Sequence, residues 1–319
     1  MGEQGGVQLL ISLLALALAA SAQPTKSQVL YTQADDEWAA GVASTAEGIV
    51  KTPSSCVPEN TVILTMSNGY HWGLLDLKLA KILDRKCFFD RYLVITIDAD
   101  AHAKCNNHTA IQHCFLYHTE LAPSDWKKAD YYAIVYIKIK AMKALMERGL
   151  PAFFFDTDII LFKVPPFPPP NSYDLAYQME HFDTACELKS GTQGGLYEST
   201  NKSCRGHGIN TGQFGLWPSN VTITLLSETF KCGQWSTSPR HRGPPIGTQD
   251  CMNGVAKRMP HMRHLMLPSH FGGHCFCRGL LPKLRLTTYH ANCVTSENAK
   301  MRVLLDAAKN GRTRELDGW

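Results

Sequence analysis

An α/β fold built on a mostly parallel sheet is what this 319-residue chain predicts, and three observations predict it. First, strand-length runs over 61–66, 92–97 and 153–162 are almost continuously apolar, the pattern of strands buried on both faces rather than the alternation of a half-wet sheet. Second, apolar residues at helical spacing over 74–83 separate the first two runs, making a strand, helix, strand unit of the kind that joins parallel strands. Third, these runs stop in Ser67-Asn68-Gly69 and Asp98-Ala99-Asp100, turn-forming polar residues at the carboxyl ends of strands, where open α/β sheets bind ligands.

Taken in order, the chain begins with an apolar stretch from Val7 to Ala20 and the small residues Ala20-Ser21-Ala22 before Gln23. This predicts a secretory signal peptide over 1–22, or a short signal anchor, because Glu3 stands where basic residues are usual. Membrane association then depends on retention of that segment. Residues 23–59, polar and punctuated by Pro, are expected as a stem or lead-in, and 60–319 as one domain. The 11 Cys in such a chain imply several disulfides and, being odd in number, at least one unpaired thiol. Asn107-His108-Thr109, Asn201-Lys202-Ser203 and Asn220-Val221-Thr222 are glycosylation acceptors, in keeping with a luminal setting, Golgi or secreted. The formal net charge of +4 comes without a basic run, which speaks against nucleic acid as a partner.

Cys105, His108, His113, Cys114 and His118 could form a zinc cluster or a disulfide-held loop, and their spacing matches no tetrahedral module. Residues 131–148 read as the clearest helix. Ile134, Ile137, Ala141, Ala144 and Leu145 share one side, Lys140, Lys143 and Glu147 face solvent opposite, and Lys138 falls among the apolar residues. A lysine on that side is a candidate for an anionic ligand or for a salt link to a carboxylate. Residues 175–179 re-enter the sheet, and Cys186 and Cys204 pin a long loop. Asn210-Thr211-Gly212 could hydrogen-bond a closely approaching sugar or form an ordinary turn before a strand. Ser219 or Asn220 caps a helix through Phe230, and Gln249-Asp250 opens another through Lys257, its carboxylate at the positive helix end. His274-Cys275-Phe276-Cys277 is read as disulfide-forming, with zinc as the alternative, and 297–308 as a closing amphipathic helix.

The chemistry concentrates in Phe153-Phe154-Phe155-Asp156-Thr157-Asp158-Ile159-Ile160-Leu161-Phe162, read as a single strand. Ionised carboxylates in an apolar run need a compensating cation, and at i and i+2 on a strand both point to one side. Hard oxygen ligands there suit Mn²⁺ or Mg²⁺ shared with phosphate oxygens, and His290, near a strand end, is a candidate third ligand. Metal-dependent sugar-nucleotide transferases and Asp-nucleophile phosphatases both place such a pair there. The phosphatase needs a further late acidic cluster, and after Asp250 the only acids are Glu297, Asp306, Glu315 and Asp317. A secreted glycan-binding protein without turnover is a third alternative.

These elements, in this order, resemble the nucleotide-diphospho-sugar transferase family of plant and algal arabinosyl- and xylosyltransferases, from about Thr61 to the C-terminus. Two departures stand out: Gln249-Asp250 reverses the family's Asp-Gln order, and Leu161-Phe162 replaces its Trp-Leu. The resemblance implies a GT-A fold and a retaining glycosyltransferase that uses a UDP-sugar and a divalent cation on a glycan or glycoprotein acceptor. By the same resemblance Thr65, Asn68 and Asp98 lie at the nucleotide and Lys138 near the donor pocket. Asn210, Thr211, Gly212, Gln249 and Asp250 surround the transferred sugar, while Asp156, Asp158 and His290 hold the metal.

Overall fold

The computed structural model describes residues 33–81, 86–117, 129–165, 167, 172–179, 208–236, 241, 243, 245–267, 271–273 and 286–316. In chain order the strands are β1 (Val62–Ser67), β2 (Tyr92–Thr96), β3 (His113–Leu116), β4 (Ala152–Phe155), β5 (Ile159–Leu161), β6 (Leu175–Met179), β7 (Ile209–Leu216), β8 (His264–Met266), β9 (Phe271–Gly273) and β10 (Thr288–His290). The helices are α1 (Gln33–Val50), α2 (Trp72–Lys81), α3 (Lys86–Phe89), α4 (Ala99–Asn106), α5 (Ala129–Glu147), α6 (Asn220–Ser236), α7 (Thr248–Ala256) and α8 (Glu297–Leu316).

Seven strands form one sheet in the order β3-β2-β1-β4-β7-β6-β8, in which β7 alone runs antiparallel to its neighbours. The apolar runs explain its burial, because successive side chains point to opposite faces and both faces are covered. Val62, Leu64, Leu93, Ile95 and Phe154 pack on one face beneath α1, α5, α6 and α7. Ile63, Tyr92, Val94, Phe153 and Phe155 pack on the other with Trp72, Leu75 and Leu79 of α2. Each fully buried phenylalanine contributes roughly 1.5–3 kcal/mol. The expected α/β architecture with a mostly parallel sheet is therefore what the chain adopts.

A second sheet, β5-β10-β9, holds its own small core of Ile160, Tyr289 and Leu304 under α8. Gly149 adopts φ 74° just after α5, the left-handed position that glycine takes at a helix end, and returns the chain directly into β4. Disulfides join Cys56 to Cys87, Cys105 to Cys114 and Cys232 to Cys251. The second of these resolves the choice at Cys105 and Cys114 in favour of a disulfide-held loop. No described helix is long and apolar enough to cross a membrane.

Three expectations need correction. Residues 33–50 are not a polar lead-in, because Val42, Ala43, Ala46 and Ile49 of α1 are buried in the main core. Lys140 does not face solvent: α1 covers that side of α5, and its ammonium meets Asp35 at 2.9 Å. The run 153–162 is two strands in two sheets, broken at the carboxylates. The Cys186–Cys204 loop, the His274–Cys277 cluster and the segment 1–22 lie outside the described residues.

Candidate active site

The break in the run 153–162 builds the site. Main-sheet pairing extends one residue past β4, through Asp156 N donating to Gly212 O at 2.7 Å, and the chain then turns at Thr157-Asp158 into β5. A strand buried on both faces cannot carry charge, so the chain leaves the sheet where the acids begin. β5 pairs antiparallel with β10 so that Ile159 lies opposite His290, and Ala291 N donates to Asp158 O at 2.9 Å. On the other flank β7 is irregular against β6 at Tyr177/Gln178, a bulge beside the turn of the kind that re-aims side chains.

One ligand atom from each of Asp156, Asp158 and His290 lies within 4.8 Å of the others, and among the described residues no other such group occurs. The carboxylates do not align on one strand, as expected from sequence, but converge across a turn. Each shares an oxygen with a lysine. Lys138 Nζ is 3.4 Å from Asp156 Oδ1 and donates to Thr211 O at 2.8 Å, while Lys300 Nζ is 2.6 Å from Asp158 Oδ2. His290 Nε2 stands 3.3 Å from Asp158 Oδ1, and its Nδ1 is 3.1 Å from Gln178 Oε1. Burial would raise the Asp158 carboxyl, but Lys300 and His290 outweigh it and hold the group well below the ordinary carboxylate range.

These residues fit a divalent ion. Two carboxylates and a ring nitrogen converge there, and a metal taken at His290 Nε2 would leave Nδ1–H to donate to Gln178 Oε1, which would orient the ring. Gly212 leaves the necessary space. A Cβ there would sit 2.3 Å from His290 Cε1, 2.7 Å from Asp156 Oδ2 and 2.9 Å from Asn210 Oδ1.

Two residues of the site went unmarked in the sequence reading. Lys78 of α2 is fully buried and donates to Phe155 O at 3.2 Å, Asp156 O at 3.1 Å and Thr65 Oγ1 at 3.4 Å, pinning the backbone from below. Burial pushes its ammonium down to about 7, against the pull of Asp156 and Asp158. Its signal was its spacing, because Leu74, Leu75, Lys78 and Leu79 share one helical face. Lys300 likewise lies one turn before the buried Leu304.

The other expected residues divide. Thr65 is buried, and its hydroxyl donates to Phe155 O at 2.6 Å. Asp98 is committed to backbone, accepting from Ala101 N at 2.7 Å as the N-cap of α4 and from Gly69 N at 2.9 Å. Asn68 Oδ1 accepts from His71 N at 2.8 Å at the entry to α2. Asn210, Thr211 and Gly212 lie in β7 rather than in a turn, with Asn210 Oδ1 accepting from Gly212 N at 2.8 Å. Gln249 Oε1 accepts from Thr211 N at 3.3 Å, whereas Asp250 is exposed in the first turn of α7.

An α/β sheet thus gathers two carboxylates, an imidazole and three lysines at the carboxyl end of its central strand, a group that could hold a metal ion. A family model described as nucleotide-diphospho-sugar transferase matches residues 87–304, and the chain belongs to that family. Among solved structures it is similar to the apo structure of the WbbM bifunctional glycosyltransferase, with 10% identity over 78% of this chain and 51% of that one and a TM-score of 0.44. The chain thus spans about half the length of that enzyme. It is also similar to mouse xyloside xylosyltransferase 1, with 13% identity over 74% and 99% of the two chains and a TM-score of 0.43. A third is a glycosyltransferase involved in glycosylation of the major capsid of PBCV-1, with 9% identity, 77% and 98% coverage and a TM-score of 0.44. No curated protein matches the chain in sequence.

Proposed function

We propose that this protein is a retaining, Mn²⁺- or Mg²⁺-dependent glycosyltransferase of the secretory pathway lumen, moving a sugar from a UDP-sugar to a glycan or glycoprotein acceptor. The observation that carries the reading is the convergence of Asp156, Asp158 and His290 beside Lys138 and Lys300, in a chain of the nucleotide-diphospho-sugar transferase family. Asp156, Asp158 and His290 would hold the ion, which when bound supplies Lewis-acid stabilisation of the charge developing on the leaving diphosphate.

The chain's own residues do the rest. Lys78 and the Asp156 N to Gly212 O bond fix the backbone of the turn, so the carboxylate directions are set before ligand arrives. Gln178 orients the imidazole, and Gly212 keeps a side chain out of the space the ligand needs. Lys138, buried and tied to Thr211 O, adds a fixed positive charge toward a diphosphate. The test incubates the purified luminal domain with a panel of UDP-sugars, Mn²⁺ and candidate acceptors, with and without a chelator. UDP release that the chelator abolishes is the expected result. UDP release undiminished in Asp158→Asn, or phosphate release from simple monoesters in place of sugar transfer, overturns the reading.

A further inference from the structure

We propose that the gap between Tyr132 and Asp250 is an acceptor subsite that takes a pyranose ring, so that the enzyme extends an existing glycan rather than placing a first sugar on a serine or threonine. The inference rests on the transferase reading above and deepens it by naming the chemistry of the acceptor. Gly247 is the N-cap of α7, and a Cβ built there would lie 3.9 Å from Tyr132 Cε1 and 4.0 Å from Asp250 Oδ2. An aromatic edge and a carboxylate oxygen thus flank one point, and glycine puts no side chain between them. The backbone does not demand glycine, since φ −71° and ψ 161° are values that other residues adopt.

Neither flank is spent on holding the fold. Asp250 stands where a carboxylate commonly reaches back to the N-cap amide, yet it is exposed and makes no hydrogen bond or ion pair among the described residues. Burial and the Asp250 charge push up the phenol of Tyr136, which donates to Ile246 O at 3.0 Å beside the gap. Tyr132, half-buried at the start of α5, packs edge-on against Tyr131, and its hydroxyl has no hydrogen-bond partner among the described residues. The gap is linked to the acidic turn on both sides. Gln249, next to Asp250, accepts from Thr211 N at 3.3 Å, and Thr211 O holds Lys138 beside Asp156. Along α5, Tyr132 to Lys138 is about 9 Å of helix. The α6–α7 disulfide, Cys232 to Cys251, fixes the end of α7 that carries Asp250. A pyranose ring matches the pair: its C–H face lies on an aromatic side chain, and its hydroxyls donate to a carboxylate. A serine side chain has no ring face to offer Tyr132.

The test applies saturation-transfer NMR to the full chain, with methyl pyranosides of the common hexoses and pentoses and with serine- and lysine-containing peptides as probes. At least one pyranoside is expected to receive saturation at its ring C–H protons, and the peptides none. Tyr132→Leu and Asp250→Asn should each weaken that pyranoside about tenfold, the scale of one aromatic contact or one charge-assisted hydrogen bond, while Tyr132→Phe holds it. Gly247→Val, whose methyls fill the gap, should weaken it as much. Steady-state kinetics then place the loss, with KM for the pyranoside raised and KM for the UDP-sugar held. A raised UDP-sugar KM with unchanged pyranoside KM in Asp250→Asn overturns the proposal, as does peptide binding in place of pyranosides. Unchanged pyranoside binding in Gly247→Val does the same, and this remains decisive if Tyr132→Leu fails to fold. Wild-type protein that binds Mn²⁺ and UDP but no pyranoside sinks this inference alone. Binding of pyranosides at the gap without Mn²⁺ or UDP binding keeps the carbohydrate subsite and removes the transferase reading.

Discussion

Two lysine–aspartate pairs with enclosed carboxylates stand out among the described residues, and their surroundings differ. Asp35 of α1 meets Lys140 of α5 at 2.9 Å, and Asp158 meets Lys300 at 2.6 Å, with both carboxylates almost wholly enclosed. Around Asp35 the surroundings complete a local structure. Tyr117 donates its hydroxyl at 2.8 Å, burial pushes that phenol up, and the Lys140 ammonium lies 5.3 Å from the Phe230 ring. A cavity of about 510 Å³ opens beside this pair, lined by Ala39, Ala43, Ile139 and Phe230. Around Asp158 a second carboxylate and an imidazole converge instead, and the partners come from separate elements joined by tertiary register. Burial and charge are thus shared by a structural clasp and a candidate active site, and the cavity lies beside the clasp. What separates them is whether hard ligand atoms of several residues face one point.

That contrast is sharpest when the two acids are removed in turn. We predict that Asp158→Asn lowers kcat/KM for sugar transfer by at least about a thousandfold, the scale of several kcal/mol of Lewis-acid stabilisation, and abolishes measurable Mn²⁺ binding. Asp35→Asn should do the opposite. It breaks a buried pair and leaves the Lys140 ammonium uncompensated, costing about 3 kcal/mol of stability while kcat/KM of the folded protein holds. Denaturant melts and steady-state kinetics on both variants read the two effects apart. Loss of Mn²⁺ binding in Asp35→Asn would erase the distinction between the pairs.

A smaller effect separates ligand from support. Lys78 touches no side-chain oxygen of the acidic pair, only the carbonyls of Phe155 and Asp156 and the hydroxyl of Thr65. Lys78→Met is expected to weaken Mn²⁺ about tenfold, the lower end of what supporting contacts to a metal site contribute. Leu75→Ala, on the same buried face of α2, should cost about 2–5 kcal/mol of stability and leave Mn²⁺ affinity unchanged. Equal loss of affinity in both would reduce Lys78 to ordinary core.

The chain announced its sheet more plainly than its site, for physical reasons. Continuous apolar runs such as Val62–Leu64 and Phe153–Phe155 are local signals that any parallel core imposes. Short strands such as β3, with partly exposed residues and a polar start at His113, carry no such pattern and were not anticipated. The acidic pair was visible because charge inside an apolar run is anomalous, yet the break between β4 and β5 was not, since the flanks are apolar on both sides. His290 meets Asp158 through the pairing of β5 with β10, a contact across more than a hundred residues that no local periodicity encodes. An imidazole near a strand end made it a candidate ligand, and the family resemblance put it beside the carboxylates. Lys138 and Lys78 could be found from the helical wheel, because an ammonium on an apolar stripe needs an anion or a carbonyl to meet it.

A third acid, Asp174, places the contrast on a scale and yields the mildest effect. It accepts from Arg263 N at 2.9 Å, Nε at 3.2 Å and Nη2 at 3.0 Å, and from Ser219 Oγ at 3.1 Å, joining the starts of β6, α6 and β8. Burial would raise its carboxyl, but the bonds from Arg263 and Ser219 prevail and hold it below the ordinary aspartate value. A carboxyl lowered on folding contributes stability that is fully present above the unfolded value of about 3.9 and is lost as pH falls through the folded one. The Arg263 side chain is 43% exposed, so solvent screens the charge and the hydrogen bonds carry the effect. Asp174→Asn is expected to cost about 1–2 kcal/mol at pH 7, and urea melts at a series of pH values should show that gap closing below about pH 4. A gap that stays constant down to the folded value would mean that Asp174 acts through shape alone, and would place it with neither the clasp at Asp35 nor the charged turn at Asp158.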